Sequence, residues 1–336
     1  MKSSIVNRQS SIGLIALALL LAFLAAILHA QQIPPSPAIR VESALVSVPV
    51  IVSDNRGRYV LGLEAADFKL YQDDVPQPVA LFATSEEPIR IALLLDTSKS
   101  TITVLNKIKK AAWEFLLQLR PQDQAFVVSF DASIEYLSPL SSEHKELEDA
   151  IKKAKVGEYT GTRMRDAILE VMQRKFRSGQ GRKAIVLLTD GQDYGSVVSA
   201  SDLLSAVGAS NTVIYSIYYN VDPREVMKKL FGVHSRLPAH KPGSRRGPYV
   251  VWDEREERAA AYLEELSDLS AGRFYRSAVT DLKETFAQVA EELRHQYLLG
   301  FYPDKAKLDG SLHLLRVEVS LPEALVRARR SYRAVN

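Results

Sequence analysis

The sequence predicts an α/β protein in which a doubly wound domain with a mainly parallel sheet is inserted into a small β-sandwich. Three observations predict it. Strand-like and helix-like segments alternate through the middle of the chain, which indicates βα units. Two of these strands, IRIALLLD (89–96) and KAIVLLTD (183–190), are continuous apolar runs, typical of strands covered on both faces. The flanking segments carry β patterning alone, and each is too small to form a stable domain, so we expect them to share one sandwich.

The chain divides into five predicted parts. Residues 1–30 are a targeting segment, and residues 31–40, which are rich in proline, form a linker. Residues 41–87 and 295–334 supply the two halves of the sandwich, and residues 88–294 form the inserted domain. The length of 336 residues accommodates this organisation.

The elements of the inserted domain follow from periodicity and breakers. Apolar residues at helical spacing predict helices, Pro121 ends the first of them, and short apolar or β-branched runs predict strands. The predicted strands are 89–96, 125–130, 134–137, 183–190, 212–219 and 273–276, and the predicted helices are 103–119, 142–155, 164–176, 199–208, 256–270 and 279–294. In the sandwich, strands are predicted at 41–54, 67–71, 78–84, 295–302, 311–321 and 325–332, with turns at DNRG (54–57) and QDD (72–74).

The N-terminus resembles a secretory signal peptide. Lys2 and Arg8 precede an apolar run over 12–28, and Ala30 stands before a polar stretch, which predicts cleavage after Ala30. An uncleaved membrane anchor through 12–28 is the alternative, since 17 apolar residues just cross a bilayer; a buried core helix is the third interpretation. Both of the first two predict an extracytoplasmic protein, either secreted or periplasmic, or anchored to the inner membrane.

Composition excludes several function classes. The chain has no cysteine, which excludes disulfides, thiolate metal sites and cysteine nucleophiles. Without Lys2 and Arg8 the formal net charge falls from +3 to +1, so composition gives no argument for nucleic-acid binding.

Carboxylates end both doubly buried strands. Asp96 and Asp190 stand at the ends of the two apolar runs, and ligands of open α/β sheets bind beyond the carboxyl ends of strands. Ser98 and Ser100 follow Asp96 at alternate positions and are able to point to the same place. Carboxylates and hydroxyls together suit a hard cation such as Mg²⁺, with Mn²⁺ or Ca²⁺ as alternatives.

These segments resemble the von Willebrand factor type A domain. DTSKS (96–100) matches the DxSxS signature of that family, YTGTRMRDAI (159–168) is similar to its second loop through Gly161-Thr162, and VLLTDGQD (186–193) looks like its third loop. The resemblance implies a Rossmann-like fold and a metal-ion-dependent adhesion site. It implies direct ligation by Ser98, Ser100 and Thr162, with Asp96 and Asp190 acting largely through bound water. One coordination position is then open to an acidic side chain of a partner protein.

A second resemblance covers most of the chain. The stretches DNRGRYVLGLEAADFKLYQDDVPQPV and QYLLGFYPDKAKLDGSLHLLRVEV resemble an exported bacterial family of von Willebrand factor A-related proteins of the acidobacterial type. This resemblance extends over roughly residues 41–334 and implies no mechanism.

Two features leave alternatives open at the predicted site. The loops could merely cap helices, with Ser100 as an N-cap and Asp190 in a turn. Arg163 and Arg165 stand close to Thr162, and three interpretations are open for them. They lie on the solvent face of the following helix, or they favour an anionic ligand beside the metal, or they weaken cation binding by repulsion.

The segment 221–256 predicts a long connection on the same side of the sheet as the site. Its basic stretch RLPAHKPGSRRGPY is read as a mobile surface loop, a partner-specificity loop or, least favoured, a nucleic-acid patch.

The sequence predicts a binding protein and no enzyme. It has no GxSxG, P-loop or HExxH motif. The SEHK stretch (142–145) matches Ser-x-x-Lys but also reads as a helix N-cap, and a phosphoryl-accepting Asp96 lacks a second acid at position 98. The alternatives to cation-dependent binding are a structural assembly module of a cell-envelope complex with a vestigial metal site and, as a distant third, a hydrolase.

Overall fold

The structure is a computed structural model that describes residues 45–84, 86–176, 181–221, 223–232, 248–303 and 310–333. The predicted targeting segment 1–30 and linker 31–40 lie outside the described residues. Within these described ranges, none of the helices combines the length and the apolar character needed to cross a bilayer.

A six-stranded sheet forms the middle of the chain. Its strands are β5 (Ile89–Asp96), β6 (Gln124–Phe130), β7 (Ile134–Tyr136), β8 (Arg182–Thr189), β9 (Val213–Tyr219) and β10 (Arg273–Ser277). They lie in the order β10-β9-β8-β5-β6-β7, parallel except for β7, which is antiparallel to β6. Nearly every residue of β5 and all of β8 are buried, as their apolar runs predict.

Helices cover both faces of this sheet. They are α1 (Leu105–Leu116), α2 (His144–Lys153), α3 (Met164–Glu170), α4 (Ala200–Ala209), α5 (Pro223–Phe231), α6 (Pro248–Leu269) and α7 (Leu282–Arg294), and a π-helical turn, Val171–Lys175, follows α3. Buried residues of α1, α2 and α7 pack on one face, and those of α3, α4 and α6 pack on the other. The predicted doubly wound α/β class is confirmed.

Antiparallel sheets are built from the two ends of the chain. The strands are β1 (Val46–Ser53), β2 (Phe68–Gln72), β3 (Val75–Gln77), β4 (Leu81–Ala83), β11 (Gln296–Phe301), β12 (Leu312–Val319), β13 (Leu325–Ala328) and β14 (Ser331–Arg333). They form the sheets β13-β1-β11-β4 and β14-β12-β2-β3. Each sheet mixes N-terminal and C-terminal strands, and Val48, Phe68, Leu299 and Tyr332 share one hydrophobic core between them.

Two details of these sheets differ from the prediction. The predicted strand 325–332 is two strands, because the chain turns aside at Arg329, whose buried side chain donates to the carbonyls of Ser331 and Ser210. The strand β3 was not predicted. Asp73 and Asp74 adopt positive φ angles of 49° and 62°, which gives the tight two-residue turn that joins β2 to β3.

The segment 221–256 is largely helical where it is described. The prediction that 221–256 is a loop is wrong for 223–231, which is α5, and for 248–256, which belongs to α6. α5 packs against the segment 99–103 that follows β5. Residues 233–247, which include the basic stretch, lie outside the described residues.

The chain order places a switch point between β5 and β8. From β5 the chain continues to β6 on one side, and β8 lies on the other side. Such a reversal opens a crevice at the carboxyl ends of the two strands. Leu95 of β5 is opposite Leu188 of β8, so Asp96 faces the Thr189 position.

Candidate metal centre

Asp96 is the last residue of β5 and is completely buried. One carboxylate oxygen, Oδ1, accepts the backbone N–H of Ser98 at 2.9 Å. The other, Oδ2, accepts the Thr189 hydroxyl from the neighbouring strand at 2.7 Å. Both bonds fix the orientation of the carboxylate at the switch point.

Ser98 precedes the short 3₁₀ helix Lys99–Thr103 as its N-cap residue, and Ser100 lies within that helix. Their hydroxyl oxygens are 2.9 Å apart, so the two side chains converge, as their alternate spacing predicts. Neither serine caps α1, whose N-cap is Val104 with no side-chain cap bond. The capping explanation for Ser100 is therefore wrong.

Asp190 follows β8 and is 8% exposed. Burial raises its pKa, while a hydrogen bond from Ser100 and the backbone N–H of Gln192 oppose that rise. Burial and then the charge of Asp190 raise the pKa of Asp96 to about 7. Asp96, Ser98, Ser100 and Asp190 thus form one connected cluster in which two buried carboxylates repel each other.

Thr162 lies on the adjacent loop. Its N–H donates to the Tyr194 carbonyl at 2.8 Å, and the Tyr194 N–H donates to its carbonyl at 2.9 Å. These bonds place Thr162 beside the loop that begins at Asp190. Among the described residues, no hydrogen bond joins the Thr162 hydroxyl to the other four predicted side chains.

Small residues allow the Thr162 loop to approach its neighbours. The N–H of Gly157 donates to the Thr97 carbonyl at 2.9 Å, and the N–H of Arg163 donates to the Asp131 carbonyl at 2.8 Å. A Cβ added to Gly161 would lie 2.9 Å from the Cα of Ala132. Glycine at 161 is therefore required by packing, which agrees with its place in the quoted motif.

Arg163 and Arg165, the two arginines beside Thr162, are both paired. Arg163 binds Asp166 at 2.8 Å, and Arg165 binds Asp193 at 3.1 Å. Arg165 also donates to the Val198 carbonyl and is only 23% exposed, so the solvent-face interpretation is wrong for it. Each positive charge is therefore balanced by a carboxylate, that of Asp166 on α3 or that of Asp193 on the loop after β8.

Sequence reasoning missed three residues that position these loops. Thr189 orients Asp96, Asp193 accepts the N–H of Arg165 and the Ser196 hydroxyl, and Asp166 accepts the N–H groups of Val197 and Val198. Thr189 and Asp193 stand within VLLTDGQD, so their place beside Asp190 was the available signal.

The predicted donors fit a hard divalent cation. They are two carboxylates and three hydroxyls, all of them oxygen ligands, and the principal charge acting on Asp96 is the negative charge of Asp190. The described residues contain no group of three or more histidine, aspartate and glutamate side chains placed to hold a metal. The predicted site differs from such a group, because three of its five predicted donors are hydroxyls and only two are carboxylates.

The fold and this strand-end cluster define an α/β domain with a candidate cation site at its switch point. Residues 91–248 match the family model of the von Willebrand factor type A domain, so the chain contains a domain of this family. Domains of this family often mediate protein–protein interaction.

Several solved structures are similar to the chain at low identity. The conserved hypothetical protein BatB from Bacteroides thetaiotaomicron shares 15% identity over 62% of this chain and 97% of that chain, with a TM-score of 0.44. A von Willebrand factor type A protein from Catenulispora acidiphila shares 11% identity over 88% of this chain and 74% of that chain, with a TM-score of 0.44. Proximal thread matrix protein 1 from the mussel byssus, with a zinc-occupied MIDAS motif, shares 16% identity over 66% of this chain and 48% of that chain, with a TM-score of 0.46. No curated protein matches the chain.

Proposed function

We propose that this protein binds a partner protein through a Mg²⁺ ion held by Asp96, Ser98, Ser100, Thr162 and Asp190. When bound, the ion offers a coordination position to a carboxylate of the partner. The observation that carries the proposal is the connected cluster of two buried carboxylates and two serine hydroxyls at the switch point. A divalent cation offsets the repulsion between such carboxylates, which water no longer screens.

The surrounding residues supply orientation. Thr189 and the Ser98 N–H hold both oxygens of Asp96, which keeps the carboxylate in one rotamer. The serine hydroxyls are 2.9 Å apart, so little rearrangement is needed for both to meet one ion.

Calorimetric titration with Mg²⁺ and Mn²⁺ tests the proposal. We expect saturable binding to the wild type and a loss of at least about tenfold in affinity for Asp96→Ala, because a carboxylate at the ion is removed. Asp149→Ala changes an exposed aspartate of α2 and is the matched control. Equally weak binding by wild type and Asp96→Ala would exclude a metal centre.

A structural role in a cell-envelope complex is the second candidate. It is favoured by the Thr162 hydroxyl, which has no hydrogen bond to the rest of the cluster among the described residues. A pull-down from cells with and without chelator separates the two functions. Partner capture that persists at full strength in chelator supports the assembly role.

We propose that the protein is not an enzyme. Ser311, His313 and Asp73 form a hydrogen-bonded chain in the sandwich, with distances of 3.0 Å and 2.8 Å. His313 is only 7% exposed and packs against Tyr332. We therefore propose that these hydrogen bonds have a structural role and attach the β2–β3 turn to β12. A fluorophosphonate probe should label neither wild type nor Ser311→Ala; labelling of wild type alone would reopen the hydrolase class.

We propose an extracytoplasmic location on the basis of residues 1–30. N-terminal sequencing of the protein recovered from cells distinguishes cleavage after Ala30 from a retained anchor. Recovery of the intact N-terminus in the soluble cytoplasmic fraction would contradict both.

A further inference from the structure

Two exposed tyrosines lie on the loops that carry the candidate metal centre. Tyr194 is 72% exposed and follows Asp190 by four residues, and Tyr159 is 75% exposed and precedes Thr162 by three. Single exposed aromatic residues are common on protein surfaces, so exposure alone decides nothing. The position of Tyr194 and the rigidity of its backbone carry the argument.

Tyr194 is directly opposite Thr162. The two residues exchange both backbone hydrogen bonds, at 2.8 Å and 2.9 Å, as an isolated antiparallel bridge. Opposed residues of an antiparallel pair project their side chains to the same side, with Cβ atoms about 5 Å apart. The ring of Tyr194 therefore starts next to the Thr162 hydroxyl, one of the predicted ligands.

Hydrogen bonds between the loop and α3 hold the backbone around Tyr194. The Asp193 carboxylate accepts the N–H of Arg165 at 2.8 Å, and the Asp166 carboxylate accepts the N–H groups of Val197 and Val198 at 3.0 Å and 2.9 Å. An aromatic side chain on such a fixed backbone loses little conformational entropy when it is covered. Rigid exposed aromatics of this kind are typical anchors of protein interfaces.

The two arginines beside Thr162 are not available to attract the residues that flank a bound carboxylate. Arg163 and Arg165, the cations nearest to Thr162 in the chain, are already paired with Asp166 and Asp193. Tyr194 and Val197 are the two large apolar side chains exposed on this loop, and of the two it is Tyr194 that is paired with Thr162.

We propose that Tyr194 determines partner specificity by contacting an apolar or aromatic residue adjacent to the metal-bound carboxylate. The occupant is a segment of a separate protein that presents an aspartate or glutamate next to an apolar side chain. This inference rests on the proposed cation-dependent function and adds the sequence class of the partner.

A peptide array tests the inference with the full-length protein. Each peptide contains one aspartate between two flanking residues, and the array as a whole covers every pair of flanking residues. A parallel set of peptides carries asparagine in place of the aspartate. In Mg²⁺, wild type should bind apolar-flanked aspartate peptides at least about fivefold more strongly than glycine-flanked ones. Tyr194→Ser should reduce that ratio to less than about twofold, whereas Tyr194→Phe should retain it.

The control is Tyr302→Ser, which removes a 54% exposed tyrosine from the end of β11 in the sandwich. It should keep the wild-type preference. The Mg²⁺ affinity of all three variants, measured by calorimetry, should stay within about twofold of wild type, since none of the changed side chains is a proposed ligand.

The outcomes separate this inference from the proposed function. If Tyr194→Ser binds Mg²⁺ normally and keeps the apolar preference, the role of Tyr194 is wrong. If aspartate peptides exceed asparagine peptides regardless of flanking residue, the metal function stands and this inference falls. If wild type binds no Mg²⁺, both fall. Mg²⁺-dependent dimerisation that Tyr194→Ser abolishes would assign the surface to a second copy and overturn the proposed partner.

Discussion

At the scale of single residues, Asp96 is a buried carboxylate whose ionisation destabilises the folded protein. It has no exposed surface, and its pKa is raised from 3.8 to about 7 by burial and by Asp190. In the cation-free protein this raised pKa makes the unfolding free energy fall as pH rises from about 4 to about 7, because the unfolded chain ionises first. Above that window the ionised group destabilises the fold by a constant amount.

Asp96→Asn should stabilise the cation-free protein at pH 8. Asparagine retains the shape of the side chain and has no charge to bury. Its amide oxygen accepts the Ser98 N–H, and the Thr189 hydroxyl turns to accept from its amide nitrogen. The variant should therefore melt at a higher temperature than wild type in chelator, by about 2–4 °C for each kcal/mol recovered. The difference should shrink as pH falls towards 4, because Asp96 stays protonated in the folded protein while its carboxyl in the unfolded chain, with a pKa of 3.8, approaches half protonation.

Adding Mg²⁺ should reverse the order of the two melting temperatures. Wild type should gain melting temperature through binding to the native state, whereas Asp96→Asn should gain little. Asp149→Asn is the matched surface change and should follow wild type in both conditions. An Asp96→Asn variant that is less stable than wild type in chelator at pH 8 would contradict the burial cost assigned to Asp96.

At the scale of elements, α3 and the loop after β8 are held together by carboxylates. Asp166 has an 8% exposed side chain and binds Arg163 and the N–H groups of Val197 and Val198. Burial alone would raise its pKa, but the hydrogen bonds from Val198, Val197 and Arg163 lower it. The stability from this group is present above the unfolded pKa near 4 and is lost as pH falls through the lower folded value.

Asp166→Asn should loosen the loop that carries Tyr194. Loss of the charge-assisted bonds should lower the unfolding free energy by about 2 kcal/mol, measured by urea denaturation at pH 7. Mg²⁺ affinity should fall as well, because Thr162 is attached to this loop through Tyr194.

The control for Asp166→Asn is Asp202→Asn, in the exposed first turn of α4. This change should alter the free energy of unfolding and the free energy of Mg²⁺ binding by no more than about 0.5 kcal/mol each. Equal effects of the two substitutions would show that Asp166 has no special role in the loop.

At the scale of the whole molecule, the C-terminal strands of the sandwich attach to the inserted domain. Glu292 of α7 is 1% exposed and pairs with Arg327 of β13 and, at 3.5 Å, with Arg273 of β10. Arg327 also donates to the Gly272 carbonyl at 2.6 Å. Because a buried charge needs a partner, this group links the stability of the two parts.

Glu292→Gln should destabilise the folded protein strongly. Removing the carboxylate leaves two arginines without their common partner, which costs about 3 kcal/mol, at the lower end for a buried pair because Arg327 stays one-third exposed. Thermal or urea unfolding checks it. Glu284→Gln, an exposed change on the same helix, should be nearly neutral; an equally mild Glu292→Gln would remove the linking role.

We propose that residues 88–294 form an independently folding insertion. Expressed alone they should unfold cooperatively, because both hydrophobic cores of the central sheet lie within them. Residues 41–87 alone should stay unfolded, since β1 pairs only with β11 and β13 among the described strands. Circular dichroism and NMR of the two fragments decide it, and a folded 41–87 fragment would contradict a shared sandwich.

Local pattern in the sequence predicted most elements and the residue types of the site. Apolar runs and helical spacing depend on neighbouring residues, so β5, β8 and α1 were recognisable from them. The division of 325–332 and the helix at 223–231 were missed, because the first depends on where the Arg329 side chain finds carbonyls and the second follows a strand in a segment rich in breakers.

The sequence by itself determined the α/β class, the carboxylates at the ends of two buried strands and the serines beside one of them. Only the tertiary structure decided that β5 and β8 are neighbours, that Thr189 orients Asp96, and that Asp166 and Asp193 neutralise Arg163 and Arg165. Periodicity is a property of consecutive residues. Strand order, ion pairing and burial arise between residues far apart in the chain, and no local pattern encodes them.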